Sequence, residues 1–144
     1  RGNIDRLIAG ADLVIDGSDS PDTKFLVNDR CRALGVPAVI AAAIRWGGHV
    51  IAVRPGQDGC YRCLFEAPPA DAASCSTAGV IGAAVGVVAG WAAKVARDQA
   101  PHATAEILVL DDLRRSLEPR RVGFRRRRDC PACAGAATAV KEAS

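Results

Sequence analysis

The 144-residue chain contains no methionine, only 4% aromatic residues, two histidines and no G-x-G-x-x-G phosphate loop. Starting at Arg1 without any methionine, it reads as a fragment or processed piece, so a site shared with a preceding segment is expected to appear here only in half. The few aromatics, set against a hydrophobic fraction of 49%, suit helices and strands packed closely in an α/β layer and do not suit a disordered chain. His49 and His102 stand alone, which leaves no Ser-His-Asp arrangement; both read as structural or solvated. The longest uncharged run, Ala78 to Ala93, has sixteen residues where a membrane span needs about twenty. Rich in glycine and alanine and followed by Lys94 and Arg97, it is expected to form a buried helix, and no membrane association is expected.

What is present fits one ordinary domain with a single core. ADLVIDGSDS reads as a buried strand whose carboxyl end turns into a polar loop. Pro21 and Asp22 start a helix that Gly35 closes, with Phe25, Leu26, Cys31 (or Ala33) and Leu34 as its apolar positions. VPAVIAAAI supplies a second buried strand, so residues 11–44 form a strand–helix–strand unit expected to be parallel and right-handed. GHVIAVRPG reads as a strand after a Gly47-Gly48 break, and AEILVLDD and RRVGFRR as two more. Between them a long helix is expected from about Ala78 to Asp98, ended by Pro101. Its glycines at 82, 86 and 90 suit close approach, either to the sheet or to a second copy.

Net charge is only +3, yet eight arginines fall between Arg114 and Arg128. They suit a phosphate-binding patch or, equally simply, an exposed strand edge blunted by charge, flanked by Asp111, Asp112, Glu118 and Asp129. Only Phe124 interleaves, so base stacking has little support and nucleic acid is not the expected partner.

Six cysteines carry the chemistry. Cys60/Cys63 and Cys130/Cys133 are C-x-x-C pairs, and two such knuckles complete a tetrahedral four-thiolate zinc site. With 66 residues between them, the ion would staple distant segments rather than organise a free-standing finger. Redox dithiols are the competing reading. Four cysteines in such pairs in a long, helix-rich chain point to a reducing compartment and a cytoplasmic protein. Cys31 reads as a small buried hydrophobe. Cys75, in the loop SCST before a helix start, is either a loop residue of no consequence or a nucleophile whose thiolate the helix N–H groups favour.

Asp16 and Asp19 stand at the carboxyl end of the first strand, where open α/β sheets bind ligands. Such carboxylates can hold Mg²⁺ bridging nucleotide phosphates, or simply serve turns and helix caps.

Taken together, ADLVIDGSDSPDTKFLVNDRCRALGVPAV, AAIRWGGHV, GCYRCLF, SCSTAGVIG and DCPACAG resemble, in that order, the carboxyl-terminal half of the MoeB/ThiF/HesA family of ubiquitin-activating-enzyme-like adenylyltransferases. The resemblance implies a partial domain over residues 1–144: an α/β, Rossmann-like mixed sheet with helices and a Cys₄ zinc site, its Gly-rich nucleotide-binding half lying upstream. It further implies an enzyme that uses ATP and Mg²⁺ to adenylylate the C-terminal glycine of a ubiquitin-like sulfur carrier ending in Gly-Gly, for molybdopterin or thiamine biosynthesis. The 144 residues alone are not expected to catalyse this step. A homodimer is the implied assembly. By match to the family motifs, Asp19 binds the magnesium–ATP complex, and Ser20 follows it where the family commonly has asparagine. Cys60, Cys63, Cys130 and Cys133 match the zinc ligands, and Cys75 matches the cysteine that in some members links covalently to the carrier. Arg45 falls on a commonly basic position and receives no role. A zinc-stabilised basic module for nucleic acid and a non-catalytic dimerising remnant stand as alternatives.

Overall fold

A computed structural model describes residues 2–56, 58–68, 75–98 and 105–134. After a short helix α1 (Ile4–Ile8), strand β1 (Val14–Asp16) pairs parallel with β2 (Ala38–Ile44), Val14 opposite Ala38 and Asp16 opposite Ile40. Helix α2 (Pro21–Leu34) connects them. Its ends follow from local chemistry: Ser20 Oγ accepts the Thr23 N–H, Pro21 needs no hydrogen-bond partner, and Gly35 takes the left-handed cap at φ 68°. Leu34, expected on the apolar face, is exposed, while Lys24 and Asn28 are buried with Phe25, Val27 and Cys31. Polar partners inside the fold decide that face, as described below.

β3 (Gly47–Val53) returns antiparallel to β2 through a two-residue turn at Arg45 and Trp46, with Arg45 at φ 52°. The Gly47-Gly48 pair is therefore not a break but the start of the strand. A Cβ at Gly48 would lie 2.3 Å from the Ala42 carbonyl oxygen and 2.8 Å from Val88 Cγ2, so the glycine lets the long helix close on the sheet. β4 (Ala105–Leu110) and the edge strand β5 (Arg120–Phe124) continue antiparallel, giving a five-stranded mixed sheet in the order β1-β2-β3-β4-β5.

Two cores form, one on each face. Val39, Ala41, Val50, Leu108 and Leu110 pack under α5 (Gly82–Arg97) through Ala84, Val88 and Ala92. Phe25, Cys31, Ile40, Ile51, Ile107 and Tyr61 pack on the other face with α2, α3 (Tyr61–Phe65) and α6 (Pro131–Ala134). The long helix starts later than its composition suggests. A separate turn, α4 (Cys75–Ala78), is cut off by Gly79 at φ 74°, where Arg45 N–H donates to the Gly79 oxygen and Ile81 N–H to the Arg45 oxygen. Nor does the glycine ladder face the sheet: a Cβ at Gly82, Gly86 or Gly90 would meet nothing within 4 Å. The sheet-facing stripe is Ala84, Val88 and Ala92, and Gly48 supplies the close approach from the sheet side. No described helix is long and apolar enough to cross a membrane. Pro101 and His102 lie outside the described residues.

The arginine-rich stretch forms a charged strand edge. Arg120 pairs with Asp111, Arg121 with Glu106 and Arg114 with Asp112. Exposed pairs of this kind contribute only about 0–1 kcal/mol each, but they cover the open edge of β5 with charge.

Candidate functional site

The four expected metal ligands converge. Cys60 and Cys63 flank the start of α3, Cys130 and Cys133 the start of α6, and each knuckle folds by donating the later cysteine's N–H to the earlier one's carbonyl (2.9 and 3.2 Å). Gly59 makes room at φ 130°, where a Cβ would lie 2.9 Å from Ala105 Cβ and 3.1 Å from the Phe124 ring. Sulfur–sulfur distances are 3.8 Å for Cys60–Cys63, 3.6 Å for Cys60–Cys130, 3.6 Å for Cys63–Cys133 and 3.5 Å for Cys60–Cys133. Four sulfurs about 2.3 Å from a common tetrahedral centre would stand about 3.8 Å apart, so the cluster has the size of a Zn²⁺ site. Among the described residues it is the one group of three or more potential ligands found close together. Burial pushes the Cys60 thiol up and the Cys133 thiol up to about 11, so a metal ion must displace protons to bind here. A redox pair works through an accessible thiolate, whereas Cys60, Cys130 and Cys133 are fully buried.

Helix α2 braces this cluster. Asn28 Oδ1 accepts the Tyr61 N–H at 2.9 Å, satisfying the first turn of α3, while Asp29 takes both ends of the Arg62 guanidinium at 2.7 Å. Both contacts fix the Cys60–Cys63 knuckle.

At the other end of α2 a cavity of about 520 Å³ opens beyond the carboxyl ends of β1 and β2, lined by Asp16, Asp19, Lys24, His49, Tyr61 and Cys75, with α5 as an apolar wall. The two aspartates play different parts. Asp16 is buried; it accepts Lys24 Nζ at 3.0 Å and the Ser18 N–H at 3.1 Å, and Lys24 also donates to the Ala41 carbonyl at 2.6 Å. That closed pair leaves Asp19, exposed on the rim, as the carboxylate open to a cation. Ser20 beside it caps α2.

Asp19 and Cys75, 56 residues apart, meet directly: the Cys75 N–H donates to both carboxylate oxygens at 3.2 Å, and Cys75 Sγ donates to the Ala43 oxygen at 3.3 Å. Hydrogen bonding from the Cys75 side chain and backbone holds Asp19 below the usual carboxylate range. In return the carboxylate raises the Cys75 thiol, contrary to the helix-start expectation of a lowered value. The reason is local: α4 is only four residues long, and its N-terminal N–H is occupied by Asp19 rather than offered to the sulfur.

The surroundings of three polar residues are not signalled by sequence pattern. Lys24 and Asn28 look like the polar face of α2 until their buried partners are known. His49 is packed rather than solvated: it stacks on Phe65 with ring centroids 5.2 Å apart, and its Nε2 is buried with no protein partner among the described residues. Burial, then the nearby Lys24 charge, pull its pKa down to about 4, so the ring is a neutral hydrogen-bonding group at neutral pH. Cys31 is fully buried, as a core residue. Arg45 acts through its backbone, linking the β2–β3 turn to the segment after Cys75. Gly135 and Ser74, neighbours of the motifs, lie outside the described residues.

Comparison with known proteins brings these features under one heading. The ThiF family matches residues 1–132. The SAMP-activating enzyme E1 of Haloferax volcanii is 37% identical over 140 residues, covering 92% of this chain and 50% of that protein. The adenylyltransferase and sulfurtransferase MOCS3 of Sus scrofa is 39% identical over 134 residues, 88% of this chain and 29% of that one. The sulfur carrier protein ThiS adenylyltransferase of Escherichia coli is 33% identical over 132 residues, 89% of this chain and 52% of that one. The chain thus spans about half or less of the length of these curated relatives. Among solved structures, E. coli MccB with ATP matches with a TM-score of 0.64 at 15% identity, over 92% of this chain and 43% of that one, a likeness of fold.

Proposed function

The chain belongs to the ThiF family, and from that premise we propose that it supplies the carboxyl-terminal part of an ATP-dependent adenylyltransferase acting on the C-terminal glycine of a ubiquitin-like sulfur carrier. The observation that carries this reading is the meeting of Asp19 and Cys75 at the mouth of an apolar-walled cavity outside the strand ends. A carrier's extended Gly-Gly tail needs such a channel, because it has no side chains to grip and must be held by backbone contacts and shape.

In the proposed reaction a carboxylate oxygen of the terminal glycine attacks the α-phosphorus of ATP and pyrophosphate leaves. Bound Mg²⁺ would neutralise the phosphate charge, with Asp19 as its protein carboxylate and Ser20 beside it. The buried Lys24–Asp16 pair keeps the turn that carries Asp19 in place. Cys75 acts next: its sulfur attacks the glycine carbonyl, the thiol proton is lost, and AMP departs to leave a thioester. Asp19 links the two steps. Its carboxylate raises the Cys75 thiol, and a cation placed on it would remove that effect. The four-cysteine cluster, with every ligand from the protein and none left open, would hold structural Zn²⁺ and take no part in the chemistry.

The glycine-rich phosphate loop is not in these 144 residues, so nucleotide contacts must come from a longer form of the chain or from a partner. The exposed, uncharged outer face of α5, with Gly82, Ala83, Gly86 and Gly90, supports a homodimer. Free thiols and a thiolate metal site suit a reducing, cytoplasmic setting, and molybdopterin or thiamine synthesis is the implied pathway. A basic nucleic-acid module draws less support, since Arg114, Arg120 and Arg121 are already paired with carboxylates.

The test is pyrophosphate–ATP exchange by the full-length protein. Exchange should require a carrier ending in Gly-Gly, fall at least a hundredfold in Asp19→Ala, and persist in Cys75→Ser, which instead loses the covalent carrier adduct. Exchange without a carrier, or exchange that ignores Asp19, would refute the reading.

A further inference from the structure

Lys24, Asn28 and Arg32 follow one another at intervals of four along α2, a spacing that lines them up on one stripe of the helix. The first two reach fixed partners: Lys24 ends at the cavity and Asn28 at the first cysteine knuckle. Arg32 reaches the second knuckle. Its Nη2 lies 3.6 Å from Cys133 Sγ, in donating geometry, and its Nη1 donates to the Arg54 carbonyl at 3.0 Å. The sulfur and the guanidinium come from positions 101 residues apart in sequence.

This contact matters because of the charge the cluster acquires with metal. Four thiolates around a divalent cation carry a net charge of −2, and Cys60, Cys130 and Cys133 are fully buried. A buried anion is costly unless positive or N–H groups answer it. The second knuckle also has little structure of its own, since α6 is four residues long. A guanidinium fixed at one end by the β3 exit and donating at the other to a ligand sulfur supplies both charge and position.

We propose that Arg32 is a positioning residue of the four-cysteine site, holding the Cys133 thiolate in ligating orientation and offsetting the charge of the metal cluster. The proposal rests on the metal reading of those cysteines and goes beyond it, because Arg32 is not a ligand. Arg32 thereby makes α2 a shared support, bracing the metal knuckles along the helix that also carries Lys24.

The experiment is chelator competition on the zinc-loaded full chain, paired with absorption spectra after Co²⁺ substitution. Arg32→Ala should weaken Zn²⁺ binding about ten- to hundredfold, the usual effect of losing an outer-shell partner, and shift the thiolate-to-cobalt charge-transfer band. Arg32→Lys, which keeps a cation but not the fork, should fall between the two in affinity and recover part of the band shift. Arg30→Ala, on the same helix as Arg32 but removing only an exposed pair to Asp5 of α1, should match the wild type in both readouts. If Arg32→Ala fails to fold, Arg32→Lys carries the test. A lysine variant, or a folded alanine variant, with wild-type affinity and an unshifted band overturns the proposal while leaving the metal site standing. A wild-type chain that takes up neither Zn²⁺ nor Co²⁺ overturns the metal reading and this proposal with it.

Discussion

Cys60 and Cys75 stand close together in the sequence and fall into opposite surroundings. Cys60 is fully buried, ringed by three other sulfurs at 3.5–3.8 Å, and bound to its neighbours by backbone hydrogen bonds. Cys75 is partly exposed at a cavity mouth, with one carboxylate beside it. The same side chain is thus given two different environments by its neighbours alone. Where four sulfurs gather and water is excluded, the cluster could hold a metal ion. Where one thiol faces a carboxylate at a cavity, the carboxylate raises it.

The comparison breaks most visibly on the buried side. Cys130→Ser should abolish stoichiometric zinc and destabilise the chain by more than about 4 kcal/mol, read by metal analysis and thermal unfolding. Gly59→Ala should cost about 2–3 kcal/mol in denaturant unfolding, because alanine is strained at φ 130° and its Cβ would press on Ala105 and Phe124.

His49 lies on the cavity side and gives the contrast a pH dependence. Its pKa of about 4 in the fold lies below the ordinary 6.5, so as pH falls from 6.5 the unfolded chain takes up a proton before the folded one does. Stability should therefore be unaffected by this group above pH 6.5 and decline by about 2–3 kcal/mol on reaching pH 4. His49→Gln should flatten that part of the stability–pH curve. A profile identical to wild type would contradict the buried neutral imidazole.

A smaller effect is expected at the open thiol. Asp19→Asn should speed alkylation of Cys75 severalfold near neutral pH, since the carboxylate that raises the thiol is gone. Cys75→Ser should change stability by less than about 0.5 kcal/mol and leave the zinc content intact, which marks the two thiol sites as independent.

Much of this arrangement is legible in sequence, and the parts that are not share a cause. The β1–α2–β2 unit reads directly because Ser20, Pro21 and Gly35 punctuate it and its strands are continuous apolar runs. The four-cysteine cluster reads from its paired spacing, which survives any fold that brings the two knuckles together. The start of α5 does not, because the turn at Gly79 depends on hydrogen bonds from Arg45 across the sheet end. Lys24 and Asn28 look solvated until Asp16, the Ala41 carbonyl and the Tyr61 N–H are known to meet them. The raised Cys75 thiol is hidden for the same reason: its cause is a carboxylate 56 residues away. Local chemistry sets the ends of elements, and long-range polar partners set the electrostatics of the site.

The division between the two thiol sites is tested most directly by alkylating the native, zinc-loaded protein and mapping the modified cysteines by mass spectrometry. Cys75 should label first, while Cys31, Cys60, Cys63, Cys130 and Cys133 stay protected until the metal is chelated or the chain unfolds. Labelling of Cys60 or Cys130 in the native protein at the rate of Cys75 would contradict the account.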